Sequence, residues 1–220
     1  MPNLSGYFSL CLDPADYTAV AEALQAELPL PQTLLSAVPK RQSLYLTGRY
    51  CAREALKQAG WTPQPEITTG PVGEPIWPPG WVGSITHSQT HVSVAIAAAT
   101  AYRGLGLDNE TPMSEKTLQA VKDKISTPSE RQKQPQNMSE QVYYTLLFSA
   151  KESLYKALYP TVRRFFDFQA AELHQRDAGR FEIALIETLH PELPADQCFP
   201  VYCQLAAEQI FTAVLWQTAD

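Results

Sequence analysis

The sequence predicts an α+β protein built as two similar halves. Two long stretches, residues 40–59 and 140–159, have apolar residues at helical spacing. Each long helix is followed by alternating apolar segments that predict a strand hairpin, at residues 82–98 and 201–217. No clear sequence repeat accompanies this shared order, so it is only a hint of duplication.

The first half is assigned to residues 1–103. Its predicted elements are a strand at 7–12, a helix at 14–28, a helix at 40–59, a loop at 62–79 and a hairpin at 82–98. Asp13 precedes a proline and is predicted to cap the first helix. Gly60 is predicted to end the second helix. Glu74, in the Pro- and Gly-rich loop, is expected to have a structural role.

The second half is assigned to residues 104–220. Its predicted elements are a strand at 104–110, a helix at 112–125, a loop at 126–140, the central helix at 140–159, strands at 168–176 and 181–187, and the last hairpin. The loop is predicted to be flexible because it is rich in Ser, Gln, Pro and Asn. Pro160 is expected just past the central helix, and residues 177–179 are expected to form a turn.

Composition limits the class of protein. The 220 residues are 45% hydrophobic and 18% charged, as in a soluble globular protein. A net charge of −6 argues against a general nucleic-acid binder, which needs a basic surface. We expect no signal peptide and no membrane span. The four cysteines lack zinc-site spacing, so we expect free thiols in the cytoplasm.

The central helix carries charges on or beside its buried side. Its apolar residues cover so much of the circumference that the helix is expected to be buried. Lys151 projects from the apolar stripe, and Glu152 and Lys156 lie at its edge. The last two have the favourable i, i+4 order, so a simple intrahelical ion pair is one explanation for them. It does not account for Lys151.

A second acidic cluster lies in the strand at residues 104–110. Alternation along a strand puts Asp108 and Glu110 on the same face. With Glu152 from the buried helix, they would form an oxygen-rich pocket suited to Mg²⁺. Such close carboxylates repel each other unless a cation joins them.

Two further groups of residues could bind anions. Arg41, Arg49 and Arg53 align on one face of the helix at 40–59 and could bind a polyphosphate or simply face solvent. His87 lies in the predicted turn of the hairpin at 82–98, where a lone histidine is usually a surface residue. It could alternatively donate to a phosphate.

The motifs together identify a family. GLDNE at 106–110 and FSAKESLYKA at 148–157 resemble the signature pair of the 4'-phosphopantetheinyl transferases. The likeness is closest to the siderophore and peptide synthase branch, which includes enterobactin synthase component D. Three more stretches resemble the same branch: GRYCAREAL at 48–56, GEPIWP at 73–78 and GSITHS at 83–88. The resemblance spans about residues 40–168.

The resemblance implies a fold and a reaction. Each half would be an antiparallel three-stranded sheet packed on a long helix, related by a pseudo-twofold axis, with the site between the halves. The protein would transfer the phosphopantetheine arm of coenzyme A to a serine of a carrier protein, in a Mg²⁺-dependent reaction. Adenosine 3',5'-bisphosphate would be released. We expect a monomer, with no nucleic-acid partner.

The resemblance also implies residue roles. Asp108, Glu110 and Glu152 would bind Mg²⁺, and Glu152, or a metal-bound water beside it, would be the base. Lys151 and Lys156 would contact phosphate oxygens. The remaining ligands of coenzyme A would be Ser84, His87, Arg41, Arg49 and Arg53. The catalytic residues would be Glu152, Lys156 and His87. Two residues depart from the motifs of the family. Asn109 stands where the family usually has an apolar residue, and Glu74 stands near the position where several relatives have a lysine.

Two alternatives remain at this stage. A catalytically silent relative could bind coenzyme A or a carrier domain as a regulator; the intact carboxylates argue against this. A Mg²⁺-dependent nucleotide hydrolase is disfavoured because the chain has no P-loop motif.

The strongest basic-aromatic cluster of the chain lies just after the central helix. It consists of Arg163 and Arg164 beside Phe165, Phe166 and Phe168. We expect this cluster to be the docking surface for an acidic carrier.

Overall fold

The structure is a computed structural model that describes residues 4–61, 67–177, 179–206 and 208–218. Contacts within the chain define two units, Met1–Tyr102 and Arg103–Asp220. Both contain helices packed on a sheet, which confirms the predicted α+β class. The functional roles assigned to the two halves remain predictions. None of the helices in the described residues is long and apolar enough to cross a membrane.

The N-terminal unit contains a three-stranded sheet covered by a long helix. Its elements are β1 (Gly6–Cys11), α1 (Tyr17–Gln25), α2 (Pro39–Gln58), β2 (Thr68–Thr69), β3 (Pro75–Ile76), β4 (Trp81–His87) and β5 (His91–Ala98). The sheet order is β1-β5-β4, and both pairs are antiparallel. Burial of Leu44, Ala55 and Leu56 of α2 with Val94 and Ile96 of β5 holds the two layers together.

The predicted helix boundaries of this unit are largely confirmed. The Asp13 side chain accepts a 2.9 Å hydrogen bond from the Ala15 amide and caps a short 3-10 helix, Pro14–Asp16, that leads into α1. After α2, Gly60 has a φ of +87°, the left-handed conformation expected of a terminating glycine. β4 extends to His87, so His87 ends a strand rather than starting the turn.

The C-terminal unit has a larger sheet than predicted. Its elements are β6 (Tyr102–Glu110), α3 (Glu115–Ile125), α4 (Pro128–Gln132), α5 (Glu140–Val162), β7 (Ala171–Asp177), β8 (Arg180–Leu185), β9 (Cys198–Leu205) and β10 (Ile210–Gln217). The strand order β6-β10-β9-β8-β7 makes five strands, which corrects the expected three. The β7–β8 hairpin joins the sheet because Leu173, Phe181 and Ile183 enter the core beneath α5.

The two units share one connectivity despite this difference. In each, the first strand lies beside the second strand of a later hairpin, giving β1-β5-β4 and β6-β10-β9. In each, the long helix comes between the first strand and that hairpin. The hairpin β7–β8 is therefore an addition at the β9 edge of a shared three-stranded plan.

Two sequence predictions in the C-terminal unit are wrong. Residues 126–140 were predicted as a flexible loop, which is wrong for residues 127–132, where Thr127 and Glu130 form a capping box that starts α4. Pro160 lies inside the last turn of α5, which ends at Val162 with Arg163 in the left-handed conformation. The predicted turn at 177–179 includes Ala178, and the predicted loop at 62–79 includes residues 62–66. Both parts lie outside the described residues.

Candidate active site

A direct contact between a strand and a helix builds the centre of the site. A Cβ atom at Gly106 would lie 1.8 Å from the carbonyl oxygen of Ser153, and one at Gly104 would lie 2.1 Å from that of Ala157. Only glycine therefore lets β6 approach the α5 backbone so closely. Because side chains alternate along a strand, Asp108 and Glu110 continue this helix-facing side of β6.

Lys156 of α5 neutralises the first of these carboxylates. Its ammonium donates hydrogen bonds of 2.7 Å to Oδ1 of Asp108 and 2.9 Å to the carbonyl oxygen of Leu107. Asp108 is buried, whereas the Lys156 side chain is 29% exposed. The simple intrahelical ion pair with Glu152, one of the explanations considered for Lys156, gives way to a pair between helix and strand.

The same charged groups shift the pKa values of the other two carboxylates, Glu110 and Glu152. Burial, together with the negative charges of Asp108 and Glu152, raises the pKa of Glu110 to about 7 against the opposing effect of Lys156. Burial also raises the pKa of Glu152; Lys156 lowers it and Asp108 raises it. The three predicted metal ligands therefore occupy one electrostatic environment.

The donor set fits Mg²⁺ in its chemistry. Hard carboxylate oxygens are the ligands that this ion prefers. A cation would relieve the mutual repulsion that, in addition to burial, raises the Glu110 pKa. Within the described ranges, however, no three His, Cys, Asp or Glu side chains converge on one point. Glu110 and Glu152 are only partly buried, whereas Asp108 is buried.

Lys151 does not have the predicted role. Its ammonium donates three hydrogen bonds, to Glu130 Oε2 at 2.8 Å, to the Phe168 carbonyl at 2.8 Å and to the Ile125 carbonyl at 3.0 Å. An ammonium group has only three N–H donors. None remains for a phosphate oxygen, so the expected phosphate contact of Lys151 is wrong.

Glu130 is the important residue that the sequence interpretation missed. It is 1% exposed and forms a buried ion pair with Lys151. Because residues 126–140 are mostly polar, they were predicted to form a loop, and no buried residue was expected among them. The sequence Thr-Pro-Ser-Glu at 127–130 does, however, match the capping-box pattern, which would have predicted an ordered helix start.

A small aromatic pocket adjoins Glu152. It has a volume of about 150 Å³ and its lining includes Glu152, Tyr155, Phe165, Phe166 and Phe168. The ring centroids of Tyr155 and Phe166 are 5.0 Å apart, within the range of favourable aromatic packing. A ligand group here would contact apolar surface with a carboxylate at its border.

The N-terminal unit contains a larger cavity with two buried arginines. The cavity has a volume of about 570 Å³, and Arg49 and Arg53 are 8% and 6% exposed. Arg49 donates a 2.9 Å hydrogen bond to Thr69 Oγ1, and Arg53 donates one of 2.9 Å to Glu27. Nε of Arg49 has no hydrogen-bond acceptor among the described residues. Arg41 is exposed on the same helix and outside the cavity lining.

The structure separates Ser84 and His87. Both belong to β4, but residues three apart on a strand face opposite sides. Ile85, on the His87 side, lies against α2 at Gly48, whereas Ser84 is buried on the other side of the strand. Glu74 accepts a hydrogen bond from the Val72 amide, which is consistent with its predicted structural role.

Comparison with known proteins follows the same division of the chain. The family described as "4'-phosphopantetheinyl transferase N-terminal domain" matches residues 30–99, and "4'-phosphopantetheinyl transferase superfamily" matches residues 104–201. The 4'-phosphopantetheinyl transferase PptT of Mycobacterium tuberculosis is 37% identical over 168 residues, 76% of this chain and 70% of the relative.

Two further relatives cover similar shares. The 4'-phosphopantetheinyl transferase Npt of Nocardia iowensis is 34% identical over 163 residues, 74% of this chain and 72% of its own length. Enterobactin synthase component D of Escherichia coli K12 is 34% identical over 144 residues, 64% of this chain and 67% of its own. The chain therefore belongs to the 4'-phosphopantetheinyl transferase superfamily, as its motifs predicted.

Proposed function

We propose that this protein transfers the 4'-phosphopantetheine arm of coenzyme A to a serine hydroxyl of a carrier protein. The observation that carries the proposal is the cluster of Asp108, Glu110 and Glu152 with Lys156 where β6 meets α5. Family membership supports the reaction class. Free thiols at all four cysteines agree with a reducing cytoplasm as its location, and we expect it to act there as a monomer.

The reaction requires one P–O bond to form and one to break. The serine oxygen attacks the β-phosphorus of the pyrophosphate, and the bridging oxygen leaves with the adenosine 3',5'-bisphosphate. We expect Glu152, whose pKa is raised by burial, to take the serine proton. Lys156 is partly exposed and can stabilise charge that develops on the phosphates.

A bound Mg²⁺ would be held by Asp108, Glu110 and Glu152, and its charge would neutralise the pyrophosphate. The fit rests on the oxygen donors and on the repulsion by Asp108 and Glu152, which adds to the effect of burial on the Glu110 pKa. Because Asp108 already has Lys156 as a counter-charge, the two remaining carboxylates have the most to gain from the ion.

The nucleotide end of coenzyme A is proposed to bind in the arginine cavity of the N-terminal unit. Guanidinium groups match phosphate oxygens in geometry, and Arg49 has an unused donor. Arg41, at the exposed end of the same helix face, would add a longer-range attraction. Ser84 and His87 face opposite sides of β4, so we propose that at most one of them contacts any one phosphate group.

The pocket beside Glu152 is proposed to receive the pantetheine arm. This arm continues from the β-phosphate that is attacked and carries the gem-dimethyl group, the least polar part of coenzyme A. Six of the nine residues that line the pocket are apolar, four of them aromatic, and the pocket borders the proposed base. Burial of the methyl groups there would hold the phosphorus close to Glu152.

The direct test is transfer to an apo carrier domain. The protein is incubated with coenzyme A and Mg²⁺, and the carrier is weighed by mass spectrometry. We expect the phosphopantetheine adduct with the wild type, no adduct after chelation of Mg²⁺, and none with Glu152→Gln. Glu187→Gln, an exposed glutamate of the same unit, is the control and should transfer normally. A wild type that binds coenzyme A without modifying the carrier would support the catalytically silent alternative.

A further inference from the structure

A buried ion pair lies behind the pocket that adjoins Glu152. The Lys151 and Glu130 side chains are 2% and 1% exposed, and their charged atoms are 2.8 Å apart. Lys151 immediately precedes Glu152 on α5 and also lines the pocket. Replacing a buried ion pair by apolar residues often costs little, so stability alone does not explain such a pair.

Both oxygens of Glu130 are used. Oε2 accepts from Lys151 and, at 2.8 Å, from the Thr127 amide; Oε1 accepts a 2.7 Å hydrogen bond from the Leu173 amide. The carboxylate thereby joins the start of α4 to β7 and to α5. Leu173 belongs to β7, the last strand in the order β6-β10-β9-β8-β7.

Lys151 extends the same connection to the wall of the pocket. Besides Glu130, its ammonium binds the carbonyl oxygen of Phe168, and the Phe168 side chain lines the pocket. Ala171, two residues before Leu173, lines it as well. The ion pair therefore fixes the backbone at both ends of the segment 168–173, from which one side of the pocket is built.

We propose that Glu130 and Lys151 are positioning residues, which hold the wall of the pocket so that it fits the pantetheine arm of the donor. The inference rests on the proposed function, since that function assigns the arm to this pocket. Glu130 lies outside the pocket lining, and the three N–H donors of Lys151 are all used within the protein, so both residues act through Phe168 and the start of β7. Binding of the arm should depend on the pair, whereas binding of the nucleotide end in the N-terminal unit should not.

Calorimetry with two ligands tests this division. Coenzyme A contains the arm, and adenosine 3',5'-bisphosphate contains only the nucleotide end. In the double variant Glu130→Gln/Lys151→Met, which leaves no unpaired buried charge, we expect coenzyme A to bind roughly tenfold more weakly. The affinity for adenosine 3',5'-bisphosphate should stay within about twofold of the wild type. Hydrogen exchange at the Leu173 amide should become faster.

The control removes a different ion pair of the same unit. Lys122→Met/Glu140→Gln deletes a partly exposed pair at the other end of α5 and should leave both affinities unchanged. If the Glu130/Lys151 variant does not fold, Thr127→Ala takes its place, because it weakens the capping box and keeps both charges. We expect Thr127→Ala to weaken coenzyme A binding about threefold.

Equal losses for both ligands would overturn the proposal, because they would show a general structural effect. Unchanged coenzyme A affinity in a folded variant would overturn it too. Transfer by the wild type is measured in parallel. Failure of that transfer would refute the proposed function, while the comparison of the two ligands would still report on the pocket.

Discussion

The ammonium of Lys156 lies 2.7 Å from Oδ1 of Asp108, so a cation of α5 is the counter-charge of a buried carboxylate of β6. The contact joins the two motifs that are about forty residues apart in the sequence. It places a positive charge where the pyrophosphate is proposed to bind.

Lys156→Met should therefore impair the chemical step. We expect kcat for transfer to fall by about 100-fold, because charge on the phosphates loses a preorganised cation. Single-turnover transfer at saturating coenzyme A measures this. Lys124→Met, an exposed lysine at the end of α3, is the matched control. A kcat within about threefold of the wild type would assign Lys156 a purely structural role.

Stability should depend on pH through Glu110. Its pKa is 4.5 without the fold and about 7 within it, so the folded state holds this proton more tightly. The penalty for ionising it is absent below pH 4.5, grows as pH rises, and is complete above about pH 7. At pH 8, we expect Mg²⁺ to raise Tm by roughly 3 °C, and at pH 5 to have little effect.

Scanning calorimetry with Mg²⁺ or with a chelator measures both parts. Glu110→Gln is the informative variant, because it removes the titrating group and should flatten this component of the pH dependence. The same Mg²⁺ response at pH 5 and pH 8 would argue against Glu110 as a ligand.

The two buried arginines should differ in their effect on coenzyme A. We expect Arg49→Ala to raise KM for coenzyme A about tenfold with little change in kcat, because it removes an outlying phosphate contact. Arg53→Ala should raise KM less, about threefold, because Glu27 already neutralises part of its charge. Lys57→Ala, exposed on the same helix, is the control. If KM is unaltered in both variants, the cavity does not bind the nucleotide.

The carrier protein is proposed to dock on the segment after α5. Phe165 is 71% exposed beside Arg163 and Arg164, whereas Phe166 enters the core. An acidic carrier would need such a basic patch, because the chain has a net charge of −6. We expect Arg163→Glu/Arg164→Glu to raise KM for the carrier about tenfold at low salt and to weaken its salt dependence.

Transfer rates at two salt concentrations measure this effect. Arg176→Glu/Arg180→Glu reverses two exposed charges on the β7–β8 hairpin and is the control. An unchanged KM with the wild-type salt response would place the docking surface elsewhere.

Gly106→Ala tests the contact that forms the site. The added Cβ would lie 1.8 Å from the Ser153 carbonyl oxygen, so the backbones of β6 and α5 must separate. We expect a loss of about 3 kcal/mol or more in the free energy of unfolding, measured in urea. A loss below about 1 kcal/mol would mean that the strand and helix can separate easily.

The sequence predicted those parts of the site that depend on local periodicity. Alternation placed Asp108 and Glu110 on one face, and helical spacing placed Glu152 and Lys156 at the edge of a buried stripe. Glycines at 104 and 106 allow the close approach that brings these groups together. The order of the family motifs then related the strand to the helix.

The missed features depend on tertiary contacts. Residues 126–140 are polar, and burial of Glu130 becomes favourable only through its ion pair with Lys151 and its hydrogen bonds from the Thr127 and Leu173 amides. Lys151 was given a phosphate ligand because its protein partner, 21 residues away in the chain, was not recognised. The alternating pattern of residues 168–187 predicted two strands, but it could not reveal that they extend the main sheet.

The shared connectivity has a consequence for synthesis on the ribosome. In each unit the first strand pairs with the last strand of that unit, β1 with β5 and β6 with β10. The N-terminal sheet can thus close once residue 98 has emerged, while β6 must wait for β10, about a hundred residues later. Pairings so distant along the chain form slowly. During that wait the nascent chain carries the unpaired strand GLGLDNE and an apolar helix, the segments on which chaperones would act first.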